Sequence, residues 1–110
     1  MKVQIREGPV KVTKALRAHV ERTLGLALGR FSDRVDKVMV QFVDNGGETC
    51  CQVTVGLTPR RIEVEGIEDD RFAAVVHAAE RASKSVDRAL ARELWSEDGT
   101  RSPPALKTKR

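Results

Sequence analysis

The chain has 110 residues, a net charge of +4 at pH 7 and an isoelectric point near 9.4. That length suits one domain with a single two-layer core and is too short for two cores. No apolar run approaches the roughly 18 residues of a membrane span, and the N-terminal segment MKVQIREGPV lacks the apolar stretch of a secretory signal, so a cytoplasmic protein is expected. The charge is modest overall, so any argument from charge depends on how the cations cluster.

The first part of the chain is typical of a strand followed by a helix. Polar and apolar residues alternate in KVQIR, which predicts a strand that ends at the Gly-Pro pair 8–9. Thr13 is suited to cap a helix that runs to about Phe31. Gly25 and Gly29 each cost this helix roughly 1 kcal/mol relative to alanine, so they indicate either close packing on the sheet or loose last turns. The predicted buried stripe of this helix consists of Leu16, Val20, Thr23, Leu24, Ala27 and Phe31.

Three further strands follow, and the turn Asn45-Gly46-Gly47 joins the first two of them as a hairpin. The turn Thr58-Pro59-Arg60 precedes the last. Their alternating apolar residues are Val38, Val40 and Phe42, then Cys51, Val53, Val55 and Leu57, then Ile62 and Val64.

The two cysteines of the chain, Cys50 and Cys51, are neighbours within a predicted strand. Adjacent strand residues point to opposite faces, so Cys51 is expected inward and Cys50 outward, and a disulfide between them is geometrically poor. Their spacing fits no metal or redox motif. Both are predicted to be ordinary reduced thiols.

The last predicted element is a helix that Asp69 or Asp70 caps and that runs to about Leu94. At about 100° per residue its residues separate into an apolar stripe and a basic one. The apolar stripe is formed by Phe72, Val75, Val76, Ala79, Ala82, Val86, Ala89, Leu90 and Leu94. The basic residues His77, Arg81, Lys84, Arg88 and Arg92 fall within about 40–60° of one line.

The carboxylates of this helix, Glu80 and Asp87, lie at the flank of the basic line and leave it free of negative charge. A row of cations about one turn apart is complementary to a phosphate backbone. The alternative interpretation is an ordinary solvated face of a surface helix. The unmixed sign of the line favours anion binding.

The composition changes after Trp95, where large apolar residues are few and two prolines are adjacent. This composition predicts a domain over residues 1–95 and a disordered basic tail over residues 96–110. The tail either adds salt-dependent contacts to nucleic acid or only keeps the protein soluble. Its cations in the last ten positions are Arg101, Lys107, Lys109 and Arg110.

The predicted element order is β-α-β-β-β-α, an α+β fold. Each strand has one apolar face and each helix one apolar stripe, so we expect a two-layer sandwich in which both helices cover one face of a four-stranded sheet. An antiparallel sheet tolerates water on its second face. The other face is expected to be solvated. It carries Lys2, Gln4, Arg6, Lys37, Gln41, Gln52, Thr54, Arg61, Glu63 and Glu65.

Two segments of the chain carry a family pattern: VTKALRAHVERTL at 12–24, with Phe31 closing that helix, and EDDRFAAVVHAAERASKSVDRAL at 68–90. From Met1 to about Leu94 the chain resembles the short form of the ribosome hibernation factors, called hibernation promoting factor, ribosome-associated inhibitor A, protein Y or sigma-factor modulation protein. The family pattern acidic-Asp-x-aromatic-Ala-Ala-Ile is matched here by Asp70, Phe72, Ala73, Ala74 and Val75.

The resemblance implies a bacterial protein with a fold similar to double-stranded RNA-binding domains. It implies binding to the small ribosomal subunit, in the channel used by messenger RNA and tRNA anticodon stems, and a block of translation in stressed or starved cells. Long relatives add a C-terminal dimerisation domain, so this chain is expected to be monomeric when free and not to pair ribosomes unaided in their manner. Leu26 and Gly29 stand where many relatives have lysines.

The same resemblance implies which residues contact ribosomal RNA. The expected role of each is a phosphate contact that gives position and affinity without reading bases. The family's cations on the second helix fall on Arg81, Lys84 and Arg88, position adds Arg92, and the first helix adds Lys14, Arg17 and Arg22.

Catalysis is not expected from this sequence. His19 and His77 have no acid or nucleophile at a recognisable spacing, and Gly46-Gly47 is a turn without a following helix rather than a phosphate loop. No cofactor, metal, small-molecule substrate or membrane partner is indicated.

Two other binding functions remain open. One is a domain that binds structured RNA away from the ribosome, although the chain lacks tyrosine and has only three phenylalanines and one tryptophan to stack on bases. The other is a regulatory domain whose cations dock on an acidic protein. Loss of binding as salt rises would favour RNA, and nuclease-insensitive association would favour a protein.

Overall fold

The computed structural model describes residues 1–6, 8, 10–58 and 60–97, without the side chains of residues 45 and 93–97. Helix α2 includes residues 96 and 97 of the predicted tail, and residues 98–110 lie outside the described residues. The predicted order β-α-β-β-β-α is confirmed. The elements are β1 (Lys2–Arg6), α1 (Lys14–Leu28), a short 3-10 helix (Gly29–Phe31), β2 (Lys37–Asn45), β3 (Glu48–Leu57), β4 (Arg60–Glu68) and α2 (Arg71–Glu97).

The four strands lie in the sheet in chain order, β1-β2-β3-β4. β1 runs parallel to β2, whereas the β2–β3 and β3–β4 pairs are antiparallel. The sheet is therefore mixed, and antiparallel pairing holds for two of its three strand pairs rather than for all of them. Parallel neighbours need a crossover connection, which α1 supplies here. A helix between two strands leaves both directions of pairing open until the tertiary structure is known.

Both helices cover the same face of the sheet, which we call the core face, and we call the other face the open face. α1 buries a stripe that differs from the prediction, because Leu28 is fully buried while Thr23 and Ala27 are only partly so. A Cβ added at Gly25 or Gly29 would meet no atom within 4 Å, so no other element packs closely enough on α1 to require a glycine at either position. The α-helix ends at Leu28 and continues as the 3-10 turn. The fully buried α1 residues are Leu16, Val20, Leu24 and Leu28.

α2 packs on β4 and β3, and its backbone touches β4 at Gly66. A Cβ at Gly66 would lie 2.4 Å from the backbone nitrogen of Ala78 and 2.5 Å from the carbonyl oxygen of Ala74. The helix can approach this closely only because alanines face the strand and the strand offers a residue without a side chain. The buried α2 residues are Ala74, Val75, Ala78, Ala79, Ala82 and Val86.

The predicted burial of Phe72 and Val76 is wrong, since their exposures are 39% and 41%. The contact at Gly66 turns the alanine side of α2 into the core, so these two larger side chains lie toward solvent. Ala89 and Leu90 are partly buried against the core as predicted. The side chain of Leu94 lies outside the described residues.

The predicted caps are present at both helix starts. Thr13 Oγ1 accepts a hydrogen bond from the backbone nitrogen of Leu16 at 3.1 Å, and Asp70 Oδ2 accepts one from Ala73 at 3.1 Å, so Asp70 rather than Asp69 caps α2. His19 of α1 ties the two helices together, because its Nε2 lies 3.0 Å from the carbonyl oxygen of Phe72 and the two rings lie 4.9 Å apart.

The two cysteines point to opposite faces, and both are free thiols, as predicted. Cys51 is fully buried in the core, and burial raises its pKa to about 12. Cys50 lies on the open face but is nearly buried there, and burial together with the nearby Glu65 carboxylate raises its pKa. A raised thiol pKa leaves little thiolate at neutral pH, so neither cysteine is poised as a nucleophile.

Candidate nucleic-acid interface

α2 carries four exposed cations along one side, Arg81, Lys84, Arg88 and Arg92, which we call the ridge. Successive helical turns rise about 5.4 Å, so the ridge is a line of charges at short intervals. No side chain among the described residues forms an ion pair with any of the four. A line of cations of this kind produces a local positive potential that attracts polyanions.

Among the described side chains of α2, the exposed carboxylates beside the ridge belong to Glu80 and Asp87, which lie about 100° and 120° around the helix from Arg81. They lie only about 40° and 60° from Lys84, at spacings of four and three residues, so they flank the ridge on the Lys84 side, as the sequence pattern predicts. The line formed by Arg81, Arg88 and Arg92 carries no carboxylate among the described side chains, so a phosphate there meets cations without an acidic neighbour in the same line.

His77 aligns with the ridge in sequence but is engaged elsewhere in the fold. Its Nδ1 lies 3.2 Å from Oε2 of Glu68, the last residue of β4, within ion-pair distance but without hydrogen-bond geometry. Its side chain is 37% exposed. His77 therefore marks the end of the basic line and faces the strand rather than an incoming ligand.

Arg81 and His77 border a cavity of about 560 Å³ that reaches across β4 to the open face. Glu63 and Glu65 line the same cavity, and Gln52 Nε2 donates a hydrogen bond to Glu65 Oε2 at 3.2 Å. Two carboxylates in the lining disfavour a phosphate inside this cavity. Anion contact at the ridge is therefore favoured farther along the helix, from Lys84 toward Arg92.

The predicted cations of α1, Lys14, Arg17 and Arg22, are all exposed. Arg17 lines a cavity of about 390 Å³ together with Val3, Ile5 and Arg6 of β1. Lys14 lies about 60° from Arg17 around the helix and shares this flank. Arg22 lies about 140° from Arg17, on the outer surface of the helical layer.

The seven predicted contact residues therefore do not form one patch. The ridge borders the β4 side of the molecule, whereas Arg17 borders β1, at the other edge of the sheet. At about 4.8 Å between neighbouring strands, the two edges are about 14 Å apart. The helical wheels predict which residues are exposed on each helix, but the side toward which each helix turns them depends on how the helices pack on the sheet.

The sequence pattern also leaves one group of cations unassigned. Lys2, Lys37 and Arg61 are predicted only as parts of a solvated strand face, and the pairing register brings them into one line across the sheet. Alternation identifies the face but not the register between strands.

Within the described ranges no group of three or more His, Cys, Asp or Glu side chains is placed to hold a metal ion. Within the same ranges, neither helix has an apolar stretch long enough to span a bilayer.

The chain matches a known protein family over most of its length. A family model described as sigma 54 modulation protein / S30EA ribosomal protein matches residues 3–93. The search of curated proteins found no match.

Two solved structures have the same fold. The first is described as a ribosomal subunit interface protein from Coxiella burnetii, with a TM-score of 0.74 and 20% identity over 83% of this chain and 99% of that one. The second is the protein Y N-terminal domain from Thermus thermophilus, with a TM-score of 0.65 and 26% identity over 80% of this chain and 94% of that one. The family model covers most of the chain, so this protein belongs to the sigma 54 modulation protein / S30EA ribosomal protein family.

Proposed function

We propose that this protein is a ribosome hibernation factor that acts in the cytoplasm without catalysis. It binds the small ribosomal subunit in the channel used by messenger RNA and tRNA anticodon stems, and it thereby blocks translation under stress or in stationary phase. The family membership supports association with ribosomes, as do the two solved relatives described as a ribosomal subunit interface protein and as protein Y. The observation that carries the proposal is the ridge of four exposed cations, none of which forms an ion pair with a described side chain.

The ridge suits contact with a phosphate backbone rather than recognition of bases. Lysine and arginine side chains that neutralise phosphates release counterions, so each contact adds affinity that falls as salt rises. Such contacts fix the position of the protein without reading sequence. A rigid domain held in a channel by several contacts excludes other occupants simply by filling the space.

The first test is co-sedimentation of the purified protein with ribosomes and with separated subunits through a sucrose cushion, at low and high salt. We expect salt-sensitive pelleting with small subunits and whole ribosomes, but not with large subunits. Absence of pelleting at both salt concentrations would overturn the proposal. Binding to free structured RNA instead would favour an RNA-binding module away from the ribosome, and nuclease-insensitive capture by a protein would favour a regulatory interaction domain.

The second test is the triple variant Arg81→Glu, Lys84→Glu, Arg88→Glu. These side chains are exposed, so we expect the free energy of unfolding to change by less than about 1.5 kcal/mol in total. Affinity for the small subunit should fall more than about 100-fold, because three phosphate contacts are replaced by repulsion.

The matched control makes the same charge change at Lys11, Arg30 and Arg60, which are exposed and lie outside the ridge. This control should retain most of the affinity. Equal losses in the two variants would show that only net charge matters, and normal pelleting of the ridge variant would refute the site assignment.

A further inference from the structure

The open face of the sheet carries cations in a line that crosses all four strands. Lys2 pairs with Lys37, Lys37 with Gly56, and Gly56 with Arg61 in the registers of the three strand pairs. Paired residues in a sheet point to the same face, and the exposed Lys2, Lys37 and Arg61 lie on the face opposite the core residue Val38. At about 4.8 Å per strand spacing, the line is about 14 Å long. We call these three cations the open-face row.

Charge repulsion opposes this arrangement in the free protein. Like charges on neighbouring strands destabilise a sheet, and Lys2 lies directly beside Lys37. Within the described residues none of the three cations has an ion-pair partner. The nearby Asp36 carboxylate accepts a hydrogen bond from the Thr58 hydroxyl instead. The row is thus positively charged and left for an external anion to neutralise.

Gly56 makes the row accessible to a ligand. Because it has no side chain, the sheet is open between Lys37 and Arg61, and a cavity of about 310 Å³ lies there. Arg6, Lys37 and Arg61 contribute three cations to its lining, against the single carboxylate of Glu63. Its further polar lining consists of Gln41, Gln52 and Thr54, whose amide and hydroxyl groups can bond to sugar and base edges.

The row is continuous with the flank of α1. Arg6 lines both this cavity and the one that Arg17 borders at β1. The basic surface therefore passes from α1 around the β1 edge and onto the open face. It is separated from the ridge, which lies on the β4 side and beyond the carboxylates Glu63 and Glu65.

We propose that the open-face row, together with Arg6, binds a second segment of ribosomal RNA backbone, so that the domain is held between two RNA segments, one at the ridge and one at the row. This inference rests on the proposed function. RNA is favoured over an acidic protein because the open face carries no aromatic side chain among the described residues, and tight protein interfaces depend on buried aromatic anchors. Phosphate binding needs only the cations and the polar groups present.

The main test measures affinity for small subunits as a function of salt. The row variant is Lys2→Gln, Lys37→Gln, Arg61→Gln, and the charge-matched control is Lys11→Gln, Arg30→Gln, Arg60→Gln. We expect the row variant to bind at least tenfold more weakly at low salt, with a slope of log K against log salt that is smaller by about 2–3, since each phosphate contact contributes about 0.9. The control should differ from wild type by less than threefold.

Equal affinity and slope in the row and control variants would overturn the second site while leaving the proposed function intact, provided that wild type binds and the ridge variant does not. If the wild-type protein fails to bind, the proposed function and this site are both overturned. The two failures are therefore distinguishable in one experiment.

A single substitution checks the row without removing a cation. Gly56→Glu places a carboxylate between Lys37 and Arg61, and Gly56→Gln places a neutral side chain of the same size there. We expect Gly56→Glu to bind at least fivefold more weakly than Gly56→Gln. Equal binding of the two folded variants would contradict the proposal.

Directed cleavage locates the RNA itself. An iron chelate attached to cysteine in the separate variants Lys37→Cys and Arg88→Cys cleaves nearby RNA, and the native thiols are buried and disfavour labelling. We expect the two positions to cut different backbone segments. Cleavage from Arg88→Cys alone would show that no RNA lies at the row.

Discussion

The two faces of the sheet are built from alternate residues of the same strands, yet they differ in what they tolerate. On the core face the helices press against the strands, and at Gly66 two backbones touch. On the open face Gly56 occupies a comparable strand position, and a Cβ there would meet Lys37 O at an ordinary 3.4 Å. The adjacent residues Cys51 and Cys50 also lie on different faces, Cys51 on the core face and Cys50 on the open face. The cost of a substitution is therefore decided by what packs above the strand, not by the residue type.

The largest difference in the free energy of unfolding is expected when Gly66 and Gly56 are each replaced by alanine. Gly66→Ala forces α2 away from β4, and we expect it to lower the free energy of unfolding by about 3 kcal/mol, the upper range for overpacking. Gly56→Ala should be neutral or up to about 1 kcal/mol more stable, because alanine restricts the unfolded chain. Urea denaturation of both variants measures the contrast. Similar stabilities would contradict the close contact of α2 with β4.

Replacing each cysteine by serine tests the same difference between the two faces, with a smaller expected effect on stability. Cys51→Ser buries a hydroxyl in an apolar core and should cost about 2 kcal/mol. Cys50→Ser should cost less than about 1 kcal/mol, because Glu65 lies within hydrogen-bond reach of the side chain at this position. Denaturation at pH 7 compares the two. A larger loss at Cys50 would reverse the assignment of faces.

The smallest effect is a dependence of stability on pH. The pKa of Cys51 is about 12 in the folded protein and 9.0 for an ordinary thiol, so above pH 9 the unfolded chain loses this proton first. The contribution is complete below about pH 9 and is lost as pH rises toward 12, which lowers stability by about 1 kcal/mol between pH 8 and pH 10. Denaturation midpoints at these two pH values measure it. The loss of stability between pH 8 and pH 10 should be smaller in Cys51→Ala. If this variant loses as much stability as the wild type, other titrating groups cause the pH dependence.

Much of the fold follows from local patterns in the chain. The strands could be predicted from alternation, the hairpin from Asn45-Gly46-Gly47, and the two helix starts from Thr13 and the Asp69-Asp70 pair, because capping and turn chemistry act over a few residues. The exposure of the ridge could be predicted for the same reason, since a helical wheel needs only spacing.

Other features depend on contacts between residues far apart in the chain. Gly66 looks like an ordinary strand glycine in sequence, and only its contact with Ala74 and Ala78 explains why Phe72 lies toward solvent. The separation of Arg17 from the ridge likewise follows from the side on which each helix packs.

The sequence by itself determined the order and approximate extent of the elements, which strand residues alternate between faces, and that α2 carries an unmixed row of cations. These are properties of backbone geometry and of neighbours within one or two turns. The tertiary structure alone decided the parallel pairing of β1 with β2, the side toward which α2 turns, and the alignment of Lys2, Lys37 and Arg61. Strand register and helix orientation are set by packing of distant segments, and no local pattern in the chain encodes them.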